Sequence, residues 1–290
     1  MYIKRSGRSG VMVPRVPKAV RGDGGGAATT SWGRRAGTVY SARPRPAAGL
    51  GRGSGTTGFD DLNQASEDTG QGRDGRRGAA PSSPLLEAHG VECTRGDRIL
   101  FSNVSFALEA GALLRIAGRN GSGKTSLLRI VCGLAVPTAG AVCWRGQPVR
   151  RLRDEYWKDL VYVAHASAVK DDLTALENVA MGCRLAGMEV TERDAATALE
   201  RFGIAHCAEL PARALSQGQR RRVGLARLAL AAGAAVWVLD EPFTALDTAA
   251  VAFLQELIGA QLARGGIVIL TTHQEVAIAA SVSLRIELSA

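Results

Sequence analysis

Aromatic side chains make up only 5% of the 290 residues, and no stretch is long and apolar enough to cross a bilayer as a helix. The longest apolar run, Leu225 to Leu239, carries Arg227 in its midst and falls short of the ~20 residues a span needs. Any membrane contact is therefore expected through a partner that supplies the spanning helices. The five cysteines (Cys93, Cys132, Cys143, Cys183 and Cys207) show no C-x-x-C spacing, and none precedes a histidine. That excludes the common zinc, redox and covalent haem-attachment patterns and suits a reduced interior. No internal repeat is visible.

The charge is unevenly placed. Net charge is +9, yet residues 1–84 carry 14 basic against 6 acidic residues, while residues 85–290 carry 22 against 21. The body thus makes no electrostatic case for nucleic acid. Residues 1–84 are rich in Gly, Arg, Ser and Pro, with almost no apolar periodicity, so they read as a disordered extension. Three origins fit it. It is upstream sequence read from a misplaced start codon, which is the favoured reading, or a basic tail touching anionic lipid, or a transit peptide. The last draws support from the single acid, Asp23, in the first 59 residues.

From Pro84 onward short apolar segments alternate with helical ones. Leu86 to Thr94 and Arg98 to Leu108 read as strands joined at Arg95-Gly96-Asp97. Ala112 to Ala117 is a further strand, followed by a helix from Ser126, a strand from Ala141 and another over Asp159 to Ala164. Helices follow between Leu173 and Arg201 and from Ser216 to Ala232. Val236 to Leu239 is a strand, Asp247 to Arg264 a helix, and Gly266 to Leu270 a strand ending at Thr271-Thr272-His273. Strands alternating with helices imply an α/β core with a parallel sheet. The charged helical block, about 171–232, reads as a subdomain inserted in that sheet.

Gly118-Arg119-Asn120-Gly121-Ser122-Gly123-Lys124-Thr125 matches G-x-x-x-x-G-K-[ST] between a strand and a helix, the context that makes a P-loop credible. Its glycines let successive N–H groups, with Ser126 at the helix start, converge on phosphate oxygens. Lys124 would reach the β- and γ-phosphates of a nucleoside triphosphate, and Thr125 would offer its hydroxyl to Mg²⁺. Val236 to Leu239 delivers Asp240 and Glu241 to a strand end, where ligands of parallel sheets gather. Asp240 is placed to hold Mg²⁺ with Thr125, and Glu241 to orient an attacking water. Leu215-Ser216-Gln217-Gly218-Gln219 opens a helix with a capping residue.

The order P-loop, L-S-x-G-Q, apolar strand with D-E, Ala245-Leu246-Asp247 and a strand ending in His resembles the ABC ATPases over about residues 85–290. That resemblance implies a P-loop NTPase of ABC type, an α/β nucleotide-binding domain with an antiparallel β subdomain and an inserted helical subdomain. It also implies ATP and Mg²⁺ as ligands. Ser216, Gly218 and Gln219 would contact nucleotide held by a second copy's P-loop in a head-to-tail homodimer. Asp247 would couple the two sites, and His273 would steady the water with Glu241. Two positions depart from the family pattern: His165 replaces the usual Gln beyond Tyr162-Val163-Ala164, where the family senses Mg²⁺, and Arg95 replaces the aromatic that stacks on adenine. An arginine plane can also stack on a base.

Leu85-Leu86-Glu87-Ala88, Arg145-Gly146-Gln147-Pro148, Asp172-Leu173-Thr174-Ala175-Leu176-Glu177-Asn178 and Leu270-Thr271-Thr272-His273-Gln274 narrow the resemblance to the CcmA family. These are the ATP-binding subunits of the cytochrome c maturation, or haem exporter, complex. It implies a pair of ATPase subunits on a CcmB-like permease, with CcmC and the haem chaperone CcmE nearby. The location implied is peripheral, on the cytoplasmic face of a bacterial inner membrane. Another small exporter, or an ABC ATPase acting on ribosomes or DNA, are the alternatives; one P-loop and a near-neutral body weigh against the last.

Overall fold

The computed structural model describes the backbone of Ile3–Ser6 and residues 84–288. All of these belong to one of the two compact units into which the chain divides, residues 1–10 with 79–290. Most of the 1–84 extension lies outside the described residues. Within it, Ile3–Ser6 (β1) departs from the expected disorder and pairs antiparallel with the last strand, whose edge it covers.

Two sheets carry the fold. The first is antiparallel, in the order β3-β2-β5-β6, from Leu86–Arg95 (β2), Arg98–Leu108 (β3), Ala139–Trp144 (β5) and Gln147–Pro148 (β6). Its first hairpin turns at Gly96, whose φ of +58° is the left-handed conformation that glycine adopts without strain. The second sheet runs β1-β10-β4-β9-β8-β7 and is parallel apart from β1. It comprises Ala112–Gly118 (β4), Leu160–Val163 (β7), Val236–Asp240 (β8), Ile267–Thr271 (β9) and Val282–Leu288 (β10).

The continuous apolar character of the central strands has a direct cause: both faces are covered. Val236, Val238, Ile267 and Ile269 face a core shared with the antiparallel sheet and the helix Lys124–Val131 (α1). Trp237, Leu239, Val268 and Leu270 face a second core built with the remaining long helices. Successive strand residues point to opposite faces, so each strand serves both cores.

Three of those helices, Ala175–Leu185 (α3), Glu192–Arg201 (α4) and Gln217–Ala226 (α5), fill the connection between the neighbouring strands β7 and β8 and pack on one another. Each starts with a reciprocal capping box: Thr174 with Glu177, Thr191 with Asp194 and Ser216 with Gln219. Such caps contribute about 1 kcal/mol each, which matters for helices of only about three turns. The last helix, Thr248–Ala263 (α6), is capped by Asp247, which accepts from Ala250 N.

Some boundaries differ from the sequence expectation. The helix opened by Ser216 ends at Ala226 and tightens into a single 3₁₀ turn, Arg227–Ala229, short of Ala232. The six-residue helix Arg153–Lys158 (α2), β6 and β10 were not anticipated.

Candidate active site

The loop from Gly118 to Gly123 is shaped by its glycines. Gly118 has φ +145°, and a Cβ there would lie 2.6 Å from Ser122 Oγ and 2.7 Å from Leu288 O. Gly123 has φ +94°, and its Cβ would meet Phe101 Cδ1 at 2.8 Å. The start of α1 has no side-chain cap, and Ser122 Oγ is buried without a hydrogen-bond partner. Amide donors and an unsatisfied hydroxyl therefore converge at one helix N-terminus, as a phosphate site requires. Lys124 is buried, donates to Gly118 O at 2.8 Å and to Arg119 O at 3.2 Å, and forms no ion pair among the described residues. A buried ammonium held only by carbonyls is suited to an incoming anion.

At the neighbouring strand end, Asp240 is 2% exposed and bound by two hydroxyls. Thr125 Oγ1 donates to its Oδ2 at 2.8 Å, and Thr271 Oγ1 donates to its Oδ1 at 2.7 Å. Thr271 Oγ1 also accepts from Glu241 N at 2.9 Å, so one threonine ties the two acids together. Glu241 adopts φ +50°, a conformation costly for a residue with a Cβ and held here by that bond. Its Oε1 is buried without a hydrogen bond and lies 3.3 Å from His273 Nε2, within ion-pair range.

These groups meet in one cavity of about 610 Å³. Asn120, Gly121, Gly123, Lys124, Thr125 and Ser126 line it from the loop and α1, and His165, Asp240, Glu241 and His273 from the parallel strand ends. Arg95, at the end of β2, Leu100 and Thr244 complete the lining. Among the described residues no cluster of three or more His, Cys, Asp or Glu could cage a metal unaided. A hydroxyl and one carboxylate, Thr125 and Asp240, suit Mg²⁺, which commonly takes one or two protein ligands and completes its shell with phosphate and water. The cysteines take no part: burial, with Asp240 second, holds the Cys132 thiol far above its usual range.

Ser216, Gly218, Gln219 and Asp247 do not line this cavity. Ser216 and Gln219 cap α5 reciprocally, and Gln219 Nε2 also donates to Cys207 Sγ at 3.3 Å. Asp247 caps α6 and sits 3.2 Å from Arg222 Nη1. Gly218 is where backbones meet, because a Cβ there would lie 2.9 Å from Ala245 O. Gly218→Ala is therefore expected to destabilise the fold by about 1–3 kcal/mol, an overpacking cost, read as a lower urea midpoint at unchanged slope.

Two contributors were not singled out in the sequence. One is Thr271. The other is Arg221, 6% exposed, which donates from Nη1 to Ala164 O (3.0 Å) and His165 O (3.2 Å), and from Nη2 to Asp240 O (3.0 Å) and Glu241 O (2.8 Å). It sits in an Arg220-Arg221-Arg222 run that reads as a basic face, yet it falls four residues before buried Leu225, on the inward side of the helix. That spacing is the signal that could have found it.

The ABC transporter family matches residues 101–244. A cytochrome c biogenesis ATP-binding export protein CcmA from Nitrosospira multiformis is 50% identical over 206 residues, 71% of this chain and all of the relative. The chain belongs to the CcmA family. A second CcmA, from Aromatoleum aromaticum, is 54% identical over 194 residues, 67% of this chain and 91% of its own length. A solved ATP-binding subunit of an ABC transporter superposes with a TM-score of 0.59 at 24% identity, covering 65% of this chain and 79% of that one; it supports the fold alone.

Proposed function

We propose that this chain is the ATP-hydrolysing subunit of a CcmAB-type complex in c-type cytochrome biogenesis, and that its ATPase activity drives haem delivery and release of haem-loaded CcmE. The observation that carries the ATPase chemistry is the Thr125–Asp240–Thr271–Glu241 chain of hydrogen bonds, which sets a carboxylate beside His273 in the cavity that Lys124 enters. The catalytic unit is residues 85–290, with its helical subdomain over about 171–232.

In this reading ATP is the substrate. The amides of the Gly118–Gly123 loop and Lys124 bind its phosphates, with Arg95 near the base. Thr125 and Asp240, with His165 in the same cavity, would hold Mg²⁺, which would supply charge neutralisation for the phosphates. Glu241 accepts a hydrogen bond from the attacking water and takes its proton as the water oxygen bonds to the γ-phosphorus and the bond from that phosphorus to the bridging oxygen breaks, ADP leaving with that oxygen; His273 holds the carboxylate and the transferred group in place. Such transfers are catalysed chiefly by positioning and charge stabilisation. Ser216, Gly218, Gln219 and Asp247, which do not line the cavity of their own chain, serve the site of a second copy in a homodimer.

The chain has no described helix long and apolar enough to cross a membrane. A CcmB-like permease, with CcmC and CcmE nearby, supplies the membrane contact on the cytoplasmic face of the inner membrane. No nucleic acid is involved.

Lys124→Ala is expected to weaken ATP binding by at least ~100-fold, the ~2.8 kcal/mol range of a lost charge-assisted contact; equilibrium dialysis with labelled ATP checks it. Copurification from detergent-solubilised membranes tests the assembly. Recovery of a CcmB-like permease supports it, and recovery of a different permease retains the ATPase and discards the haem assignment.

A further inference from the structure

A second cavity, of about 570 Å³, adjoins the first. His273 lines both. Its other walls are the segment after β9, from Thr272 to Ala277, Ile116 and Ala117 of β4, and two arginines, Arg115 and Arg285, on adjacent parallel strands. The register places Arg115 directly opposite Arg285, so two like charges share one face of the sheet, an unfavourable pairing unless something neutralises it.

The structure offers little neutralisation. Arg115 donates from Nη2 to Val276 O at 2.7 Å and forms no ion pair among the described residues. Burial, and then the charge of Arg285, pull its guanidinium below its usual range, with no carboxylate acting the other way. Arg285 is paired only loosely, 3.9 Å from an exposed Glu287. Glu275 also lines the cavity, is exposed and forms no ion pair among the described residues. Each guanidinium presents five donors in a planar fork matched to oxyanions, and most of these donors remain open here.

We propose that this cavity is a second oxyanion site of phosphate type, and that it takes the inorganic phosphate produced in the neighbouring cavity. The inference rests on the ATPase reading above. Hydrolysis leaves phosphate beside Glu241, which repels the anion once it has given up the proton taken from water. A pair of arginines across the shared wall formed by His273 gives that anion a place to go while ADP is still bound. Bidentate arginine contacts supply the affinity, and exposure of Arg285 to solvent lets the anion leave.

The test is equilibrium dialysis of the full chain with labelled inorganic phosphate, Mg²⁺ and a saturating non-hydrolysable ATP analogue. Wild-type protein is expected to bind phosphate with the nucleotide cavity filled. Arg285→Gln should weaken that binding about tenfold and Arg285→Glu should abolish it, a difference of the size expected for losing one charge-assisted contact. Analogue affinity should stay within about twofold in both variants, because Arg285 lies outside the nucleotide cavity. Phosphate binding that disappears when the analogue is present, or that both variants leave unchanged, overturns the proposal. Failure of the analogue itself to bind is a separate result: it removes the ATPase reading, and the effect of Arg285→Gln on phosphate binding without nucleotide still decides whether the second site exists.

Discussion

Glu241→Gln is expected to lower ATP turnover by about 10²–10⁴-fold, the range that a positioned general base contributes, while ATP affinity changes less than about twofold. The substitution keeps size and shape, and the backbone bond from Glu241 N to Thr271 Oγ1 at 2.9 Å does not involve the side chain. The strained φ of +50° is therefore retained. What is lost is the proton acceptor. Oε1 is buried, free of hydrogen bonds and 3.3 Å from His273 Nε2, so the wild-type carboxylate has an acceptor position in reserve for water. An amide at the same place presents either a weaker acceptor or a donor, and neither can take the proton. Single-turnover hydrolysis of labelled ATP, with filter binding for affinity, separates the two effects. Gel filtration with ATP should show an accumulating dimer, because nucleotide that is bound and not hydrolysed holds the second copy. Hydrolysis at the wild-type rate would move the role of base away from Glu241.

How much of this was legible beforehand varies with the kind of signal. The P-loop and the Val236–Asp240 strand were readable because their geometry is local: a glycine run between a strand and a helix, and an apolar strand buried on both faces. That Thr125 and Asp240 meet at 2.8 Å followed from Asp240 ending one strand of the parallel sheet and Thr125 opening the helix that the loop after another strand leads into. The last strand, β10, escaped notice although Leu284, Ile286 and Leu288 alternate with Arg285 and Glu287. Its partner is β4, more than 160 residues earlier, and no local turn marks the pairing. α2 escaped for another reason: six residues give too short a window for a 3.6-residue period. Arg221 was visible but misread, because three consecutive arginines look like a solvated face and only the helix phase shows that the middle one turns inward. Ser216 was legible as a cap, and the capping box it forms with Gln219 accounts for both side chains within one chain. A contact made across a dimer leaves no trace in the fold of a single copy.

Arg221 carries the other large expected effect. Its guanidinium bridges the loop after β7, through Ala164 O and His165 O, to the end of β8, through Asp240 O and Glu241 O. Burial works against its charge, while the nearby Asp240 and Glu241 carboxylates favour it. Arg221→Met keeps much of the stem and deletes the fork, leaving four carbonyls without their donor in a partly buried setting. Hydrogen bonds to charged groups contribute about 1.5–3 kcal/mol each but are not additive, so a total loss of about 3–5 kcal/mol is expected, comparable to breaking a buried ionic contact from one side. For a domain of this size that lowers Tm by roughly 10 °C. Arg221→Lys should recover less than half of the loss, because a point cation on one stem cannot span two loops as a planar fork does. ATPase activity should fall further than stability alone explains at a temperature where the variant stays folded, since His165 and Glu241 both lose the backbone anchor that sets them around the cavity. Denaturant midpoints and turnover measured on the same preparations check both parts. A Met variant with wild-type stability would mean that water replaces the fork at all four carbonyls, and equal rescue by Lys would mean that charge, not bridging geometry, is what the site needs.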